Sequence, residues 1–114
     1  MSNDFGSPGG LSDEMQALLR QAQEMQVRLQ ETQDEVYAHL EEGSSGGGKV
    51  QVVVNGRREI VSLLIDPEVV SPENVEFLQE MITAAVNGAV HKAEEYSRTR
   101  MEEVTGGISM PGLF

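Results

Sequence analysis

Cysteine is absent from this chain, and with it disulfides, thiolate nucleophiles and sulfur-based metal sites. That absence fits a reducing cytosol. Long apolar runs are also missing: no stretch approaches the roughly 20 residues of a membrane span. Residues 1–10 lack the basic start and apolar run of a signal peptide. The expectation is a soluble, cytoplasmic protein with no membrane partner. Aromatics are few and scattered, at Phe5, Tyr37, Phe77, Tyr96 and Phe114, so there is no stacking platform for single-stranded nucleic acid. Cations are scarce too. Eight Lys and Arg face nineteen Asp and Glu, for a net charge of −11. Composition alone therefore argues against polyanion partners, because binding them relies on cations that displace condensed counterions.

The most regular pattern lies in the first third. Leu11, Met15, Leu18, Ala22, Met25, Leu29, Thr32 and Val36 alternate steps of four and three, with only Thr32 polar. This is a heptad seam, and it predicts a long amphipathic helix that needs a partner surface. At about 1.5 Å per residue the helix would reach about 35 to 40 Å, more than a chain of this size can cover with its own residues. Ser12 is placed to cap it, with Asp13 and Glu14 in the first turn where carboxylates favour the helix dipole. A small core and an uncovered seam both point to self-association.

From Val36 the alternation Val36, Ala38, Leu40 reads as a short strand to about Glu42, although Val36 and Leu40 also continue the helical spacing, and a flexible loop follows over Gly43–Gly48. Lys49–Val54 is rich in branched residues and reads as a strand, Asn55-Gly56 as a turn, and Glu59–Ile65 as the returning strand. Val61, Leu63 and Ile65 should then share a face with Val50, Val52 and Val54, while Val53, Ile60 and Leu64 leave the other face partly apolar. Ser71-Pro72-Glu73 opens a second helix with serine as its cap. Its stripe of Val75, Leu78, Ile82, Ala85, Ala89 and Ala93, widened by Phe77, Met81 and Val86, belongs to the core. Ala84, Gly88 and Ala89 are small enough for close approach to the sheet. Beyond Ala93 the sequence turns polar, so the helix should leave the core before Gly106-Gly107 stops it. The expected organisation is a disordered leader over 1–10, one domain over 11–104, and a glycine- and proline-containing tail over 105–114.

Catalytic signals are weak. Gly43 to Lys49 spells G-x-x-x-x-G-K, but Val50 replaces the magnesium-binding Ser or Thr, and the loop leads into a strand where a phosphate loop opens a helix. His39 and His91 lie on different elements without a metal-ligand spacing or an orienting carboxylate. The paired acids Glu94-Glu95 and Glu102-Glu103 read as solvated helix faces. No enzyme activity, cofactor or metal is expected.

Several segments together carry a family resemblance: Leu18-Leu19-Arg20-Gln21-Ala22-Gln23-Glu24-Met25-Gln26, Val50–Gly56, Ile65-Asp66-Pro67-Glu68, Ala84-Ala85-Val86-Asn87-Gly88-Ala89, and Met110-Pro111-Gly112. In this order they resemble the YbaB/EbfC family of bacterial nucleoid-associated proteins, from Leu11 almost to the end of the chain. The resemblance implies an α+β fold of long helix, three-stranded antiparallel sheet and second long helix (α-β-β-β-α). It also implies a homodimer with projecting helices, and double-stranded DNA as partner in the nucleoid, with effects on nucleoid organisation and gene expression. Where family members carry several lysines on the first helix, this chain has only Arg20 and Arg28.

The candidate DNA contacts are those two arginines, just over two turns apart and able to share a face, with Lys92, Arg98 and Arg100 on helix two and Arg57-Arg58 at the hairpin tip. Each can equally be an ordinary surface cation paired with a glutamate three or four residues away, as Arg20 or Arg28 with Glu24. Phosphate contacts of this kind position a protein without reading base sequence. The alternative is an adaptor dimer that uses the amphipathic helix as a docking surface for a protein partner, with Met15, Met25 and Leu29 as anchors.

Overall fold

The computed structural model describes residues 12–106. The leader, Leu11 at the head of the seam, Gly107 and the Met110-Pro111-Gly112 ending all lie outside the described residues. The elements run α1 (Asp13–Ala38), β1 (Leu40–Ser45), β2 (Val50–Asn55), β3 (Ile60–Ile65) and α2 (Val75–Thr105). This is the expected α-β-β-β-α order.

α1 begins where the sequence places it, with the Ser12 hydroxyl accepting from the Met15 amide at 3.1 Å. Its end differs from expectation. Val36, Tyr37 and Ala38 are helical, and the strand assigned to Val36–Glu42 begins only at Leu40. Period two and period four overlap across Val36–Leu40, and tertiary contact decides between them. Thr32 and Val36, one helical turn apart, are the two buried residues of α1, at the end where it meets α2 and the β2–β3 hairpin. Thr32, the polar interruption of the seam, is thus at its best-covered part.

β1 extends through Gly43, Ser44 and Ser45, most of the segment expected as a loop, and only Gly46–Gly48 turn, each with positive φ. Glycine at 43 is required by packing. A Cβ there would overlap the Ala85 carbonyl and the Ala89 amide, because α2 lies directly on β1. The Ser45 hydroxyl donates to the Met81 carbonyl at 2.6 Å and anchors the same contact. The sheet order is β1-β2-β3, all antiparallel.

The core is one layer of contact. Val50, Val52 and Val54 are fully buried against Met81, Ala85, Ala89 and Ala93 of α2, each valine contributing about 1.5–3 kcal/mol of hydrophobic stabilisation. Gly88 does not make the expected close approach, with open space at its Cβ position. The four-residue row from Met81 continues through Ser97 to Met101 and Thr105, which are buried as well. α2 therefore does not leave the core after Ala93. It passes from the sheet onto α1, because a ridge spaced by four is a continuous packing surface even where the flanking residues are polar. Helix start also differs in detail. Ser71 makes no side-chain cap bond, and instead a turn at Pro72–Asn74 leads into α2. Gly106, at φ 67°, closes the helix.

β3 stands out from under α2. Leu63 and Ile65 pair across from Val52 and Val50 and so share their face, as expected. Val61 does not, since the register shifts by one residue between Val53 and Val54 and brings Ile60 opposite Val54. Ile60, Val61, Leu63 and Leu64 remain 43–62% exposed, and the outer edge of β3 pairs with no strand among the described residues.

Candidate nucleic-acid interface

The seven cations singled out in the sequence fall into two groups. Five are engaged. The Arg57 guanidinium lies 4.3 Å from the centre of the Tyr37 ring, and Arg58 reaches Glu94 at 3.7 Å. Lys92 donates from Nζ to the Glu42 carbonyl at 2.9 Å, and Arg98 pairs with Glu95 at 2.9 Å. Arg100 reaches Glu35 of α1 at 2.7 Å and Glu103 at 2.8 Å. These two carboxylates, Glu35 first, raise the Arg100 pKa above its ordinary value. The carboxylate pairs of Arg58, Arg98 and Arg100 contribute little stability each, but they neutralise the charge a phosphate would seek, whereas Arg57 and Lys92 are held by neutral groups and keep theirs.

Arg20 and Arg28 are different. Both are exposed on α1, and neither makes an ion pair or side-chain hydrogen bond among the described residues. The expected pairing with Glu24 is not formed. Their eight-residue separation places them about 12 Å apart along the axis and about 80° around it, beside a shallow groove that they line with Gln23, Glu24 and Val27. The structure thus does not bring the seven cations together. It separates two free arginines on the arm from five partnered cations on the body.

The base of the arm is tightly specified. Gly56, at the hairpin tip, packs beneath α1 so closely that a Cβ would overlap the Val36 carbonyl and approach the Tyr37 Cα. Asn55 holds the turn by accepting from the Arg57 and Glu59 amides at 2.9 and 3.1 Å. The left-handed residue is Arg58, at φ 65°. The Asn-Gly pair thus marks the turn, but its glycine serves the approach to α1. His39, just after α1, stacks on Tyr96 of α2 with ring centroids 3.5 Å apart and an angle of 7°, while its Nε2 lies 2.8 Å from Glu41. Sequence periodicity carried no signal for either contact.

Lys49 of the glycine-rich segment is held by Asp66 and Glu68 at 3.5 and 2.5 Å, and a strand follows it. Among the described residues, no three His, Asp or Glu side chains group as a metal site. None of the described helices is long and apolar enough to cross a membrane.

Residues 11–108 match the model of the YbaB/EbfC DNA-binding family. The chain is 45% identical over 109 residues to a nucleoid-associated protein of Caldanaerobacter subterraneus subsp. tengcongensis, covering 96% of each. It is 46% identical over 109 residues, again 96% of each, to a nucleoid-associated protein of Clostridium perfringens. The fold resembles the crystal structure of an uncharacterized protein from Helicobacter pylori, with a TM-score of 0.66 at 24% identity, over 84% of this chain and 99% of that one.

Proposed function

Because this chain belongs to the YbaB/EbfC DNA-binding family, we propose that it is a nucleoid-associated protein of the bacterial cytoplasm. As a homodimer it grips the backbone of duplex DNA between projecting α1 arms, largely without reading base sequence, and so affects nucleoid organisation and gene expression. The observation that carries the grip is the pair of guanidinium groups with no partner of any kind among the described residues, Arg20 and Arg28, on the part of α1 that the body leaves exposed. Their axial separation of about 12 Å is on the scale of a duplex groove, so each arm can meet phosphates on both sides of it. Arginine at this spacing supplies position and charge, and sequence-specific readout would need further side chains directed at base edges.

Support for the dimer comes from β3. Its four exposed apolar side chains and unpaired edge are features a soluble protein covers. Residues 60–65 also carry no charge. Two chains of −11 each repel, and a symmetric contact brings residues near the axis against their own copies, so a neutral strand is where such chains can meet. The apolar residues Met15, Leu18, Leu19 and Val27 along α1 are also 48–62% exposed, which keeps the adaptor reading as the second one.

A salt titration on a mixed-sequence duplex tests the reading. With four phosphates neutralised by a dimer, log affinity falls by about 3.6 per log unit of salt, at roughly 0.9 per contact. Removing Arg20 or Arg28 by alanine substitution lowers that slope by about 1.8, since each change acts twice. Absence of binding at low salt, or variants indistinguishable from wild type, refutes the grip. Capture of a protein that survives nuclease and high salt would favour the adaptor.

A further inference from the structure

We infer that Arg100 is a positioning residue for the DNA grip, one that ties the root of the α1 arm to α2 through Glu35 and so sets where Arg20 and Arg28 stand. The inference rests on the phosphate grip proposed above. Arg100 is a cation on an acidic chain and would ordinarily be counted among the phosphate contacts, but its guanidinium is already spanned. Nη2 meets Glu35 of α1 at 2.7 Å and Nη1 meets Glu103 of α2 at 2.8 Å. Its side chain is 30% exposed, less than Arg58 or Arg98. Two donors set at fixed positions on one planar group face two carboxylates from different helices, an orientation that the flexible point charge of Lys does not fix. The raised Arg100 pKa agrees with a charge that both neighbours stabilise.

The lever makes this contact consequential. Up to Glu31 none of the described residues of α1 is buried, so the direction of the arm is decided at its last two turns. Three contacts meet there: Gly56 beneath Val36, His39 stacked on Tyr96, and Glu35 with Arg100. The first two hold the chain just after Glu35. The packing of buried Thr32 and Val36 where α1 meets α2 lies on either side of Glu35, and Arg100 adds the charged tie between the two helices there. Arg20 lies fifteen residues from Glu35, or about 22 Å along the axis. A tilt of about 10° at the root moves Arg20 by about 4 Å, beyond the reach of a hydrogen bond. A loose root therefore weakens the grip without removing any group that touches DNA.

The test turns on a sign. In the full-length protein Glu35→Gln removes a negative charge and the tie of Arg100 to α1, leaving Arg100 paired with Glu103 alone. If Arg100 contacts phosphate, or if only the overall field matters, this variant binds a mixed-sequence duplex more tightly than wild type. If Arg100 positions the arm, it binds about threefold more weakly, the scale of a lost surface pair acting in two copies. Arg100→Lys keeps the charge and loses the fork, and it too binds more weakly. Arg100→Gln lowers affinity while the salt slope stays within about half a unit of wild type, whereas loss of a phosphate contact in both copies lowers it by about 1.8. The chain has no cysteine, so spin labels placed by Gln21→Cys and His91→Cys, diluted with unlabelled chain, report the arm-to-body distance without DNA. The expected result is a distance distribution that broadens in Glu35→Gln and in Arg100→Lys. Tighter binding by Glu35→Gln, a slope that falls with Arg100→Gln, or label distances that stay as in wild type overturns the inference. Failure of the grip itself is separate, and shows as wild-type binding indifferent to Arg20→Ala and Arg28→Ala.

Discussion

Substituting Gly43 by alanine tests whether the contact between α2 and the sheet is as close as it looks. The added methyl would occupy the space of the Ala85 carbonyl and the Ala89 amide. Overpacking a core usually costs about 1–3 kcal/mol. Here the obstructing atoms are helix backbone, which cannot change rotamer, so β1 and α2 must separate. That separation also loosens the packing of Val50, Val52 and Val54 beside them. The cost belongs at the upper end, about 3 kcal/mol, less about 0.4–1 kcal/mol gained by restricting the unfolded chain. A net loss of about 2 kcal/mol lowers Tm by about 8–16 °C for a domain of this size. Gly88→Ala is the matched control. It lies on the same helix with nothing near its Cβ position, and the better helix propensity of alanine stabilises by up to about 1 kcal/mol. Urea unfolding at one fixed protein concentration, with unchanged m-value, reads both. A Gly43→Ala protein within about 0.5 kcal/mol of wild type, or two variants that shift in the same direction, refutes the reasoning.

Two further perturbations address the surface. Leu64→Glu places a charge on uncharged β3 at a residue that is 62% exposed. It should halve the mass seen by light scattering, and an unchanged mass in both Leu64→Glu and Leu63→Glu excludes β3 from the interface. Asp66 has its pKa lowered, first by the Glu68 amide, which donates to it at 2.9 Å, and then by Lys49. A carboxylate with a depressed folded-state pKa contributes stability above its unfolded value, and loses it as pH falls through the folded one. Acid denaturation of Asp66→Asn should therefore be shallower than that of wild type at and below ordinary carboxylate pKa values. Parallel acid-unfolding curves would show that Asp66 contributes nothing there. Lys49, raised chiefly by its hydrogen bond to Glu68, acts in the opposite range, losing its contribution only as pH rises through its elevated pKa.

Element order was legible because each element carried its own local signal: a seam at steps of four and three, branched residues at 50–54, and Pro72 before an apolar stripe. The errors fall where contact between elements outweighs local pattern. Gly43-Ser44-Ser45 has loop composition, but it is a strand because another backbone lies against it, and only glycine admits that approach. Val36 fits both periods, and its burial beside Met101 makes it helical. The residues after Ala93 looked solvated because Glu and Arg flank them, yet a single row at Ser97, Met101 and Thr105 suffices to pack α2 on α1. For the site, residue type identified the cations and could not sort them. Whether a guanidinium is free depends on acids distant in sequence, as Glu35 is from Arg100 by 65 residues. Spacing of three or four would have paired Arg20 and Arg28 with Glu24, and those pairs are absent.

The same sorting resolves how so acidic a chain can hold a polyanion. At physiological salt, charges in solvent are screened beyond about 8 Å. Arg20 stands about 22 Å along α1 from the carboxylate at its root, more than two such lengths, and Arg28 about 10 Å, just over one. The acids of the sheet and of the far end of α2 then contribute to the net charge while acting weakly on a phosphate at the arm. What opposes binding locally is the arm's own Asp13, Glu14, Glu24 and Glu31, the last only three residues from Arg28, against Arg20 and Arg28. The body uses its remaining arginines in ion pairs or against Tyr37, which leaves the duplex little to gain by approaching it. Net charge then works as a form of selectivity. On the proposed grip it would repel DNA from every surface except the arm, and lowering the salt extends that repulsion as well as the attraction, so affinity should rise less steeply at very low salt than the contact count alone predicts.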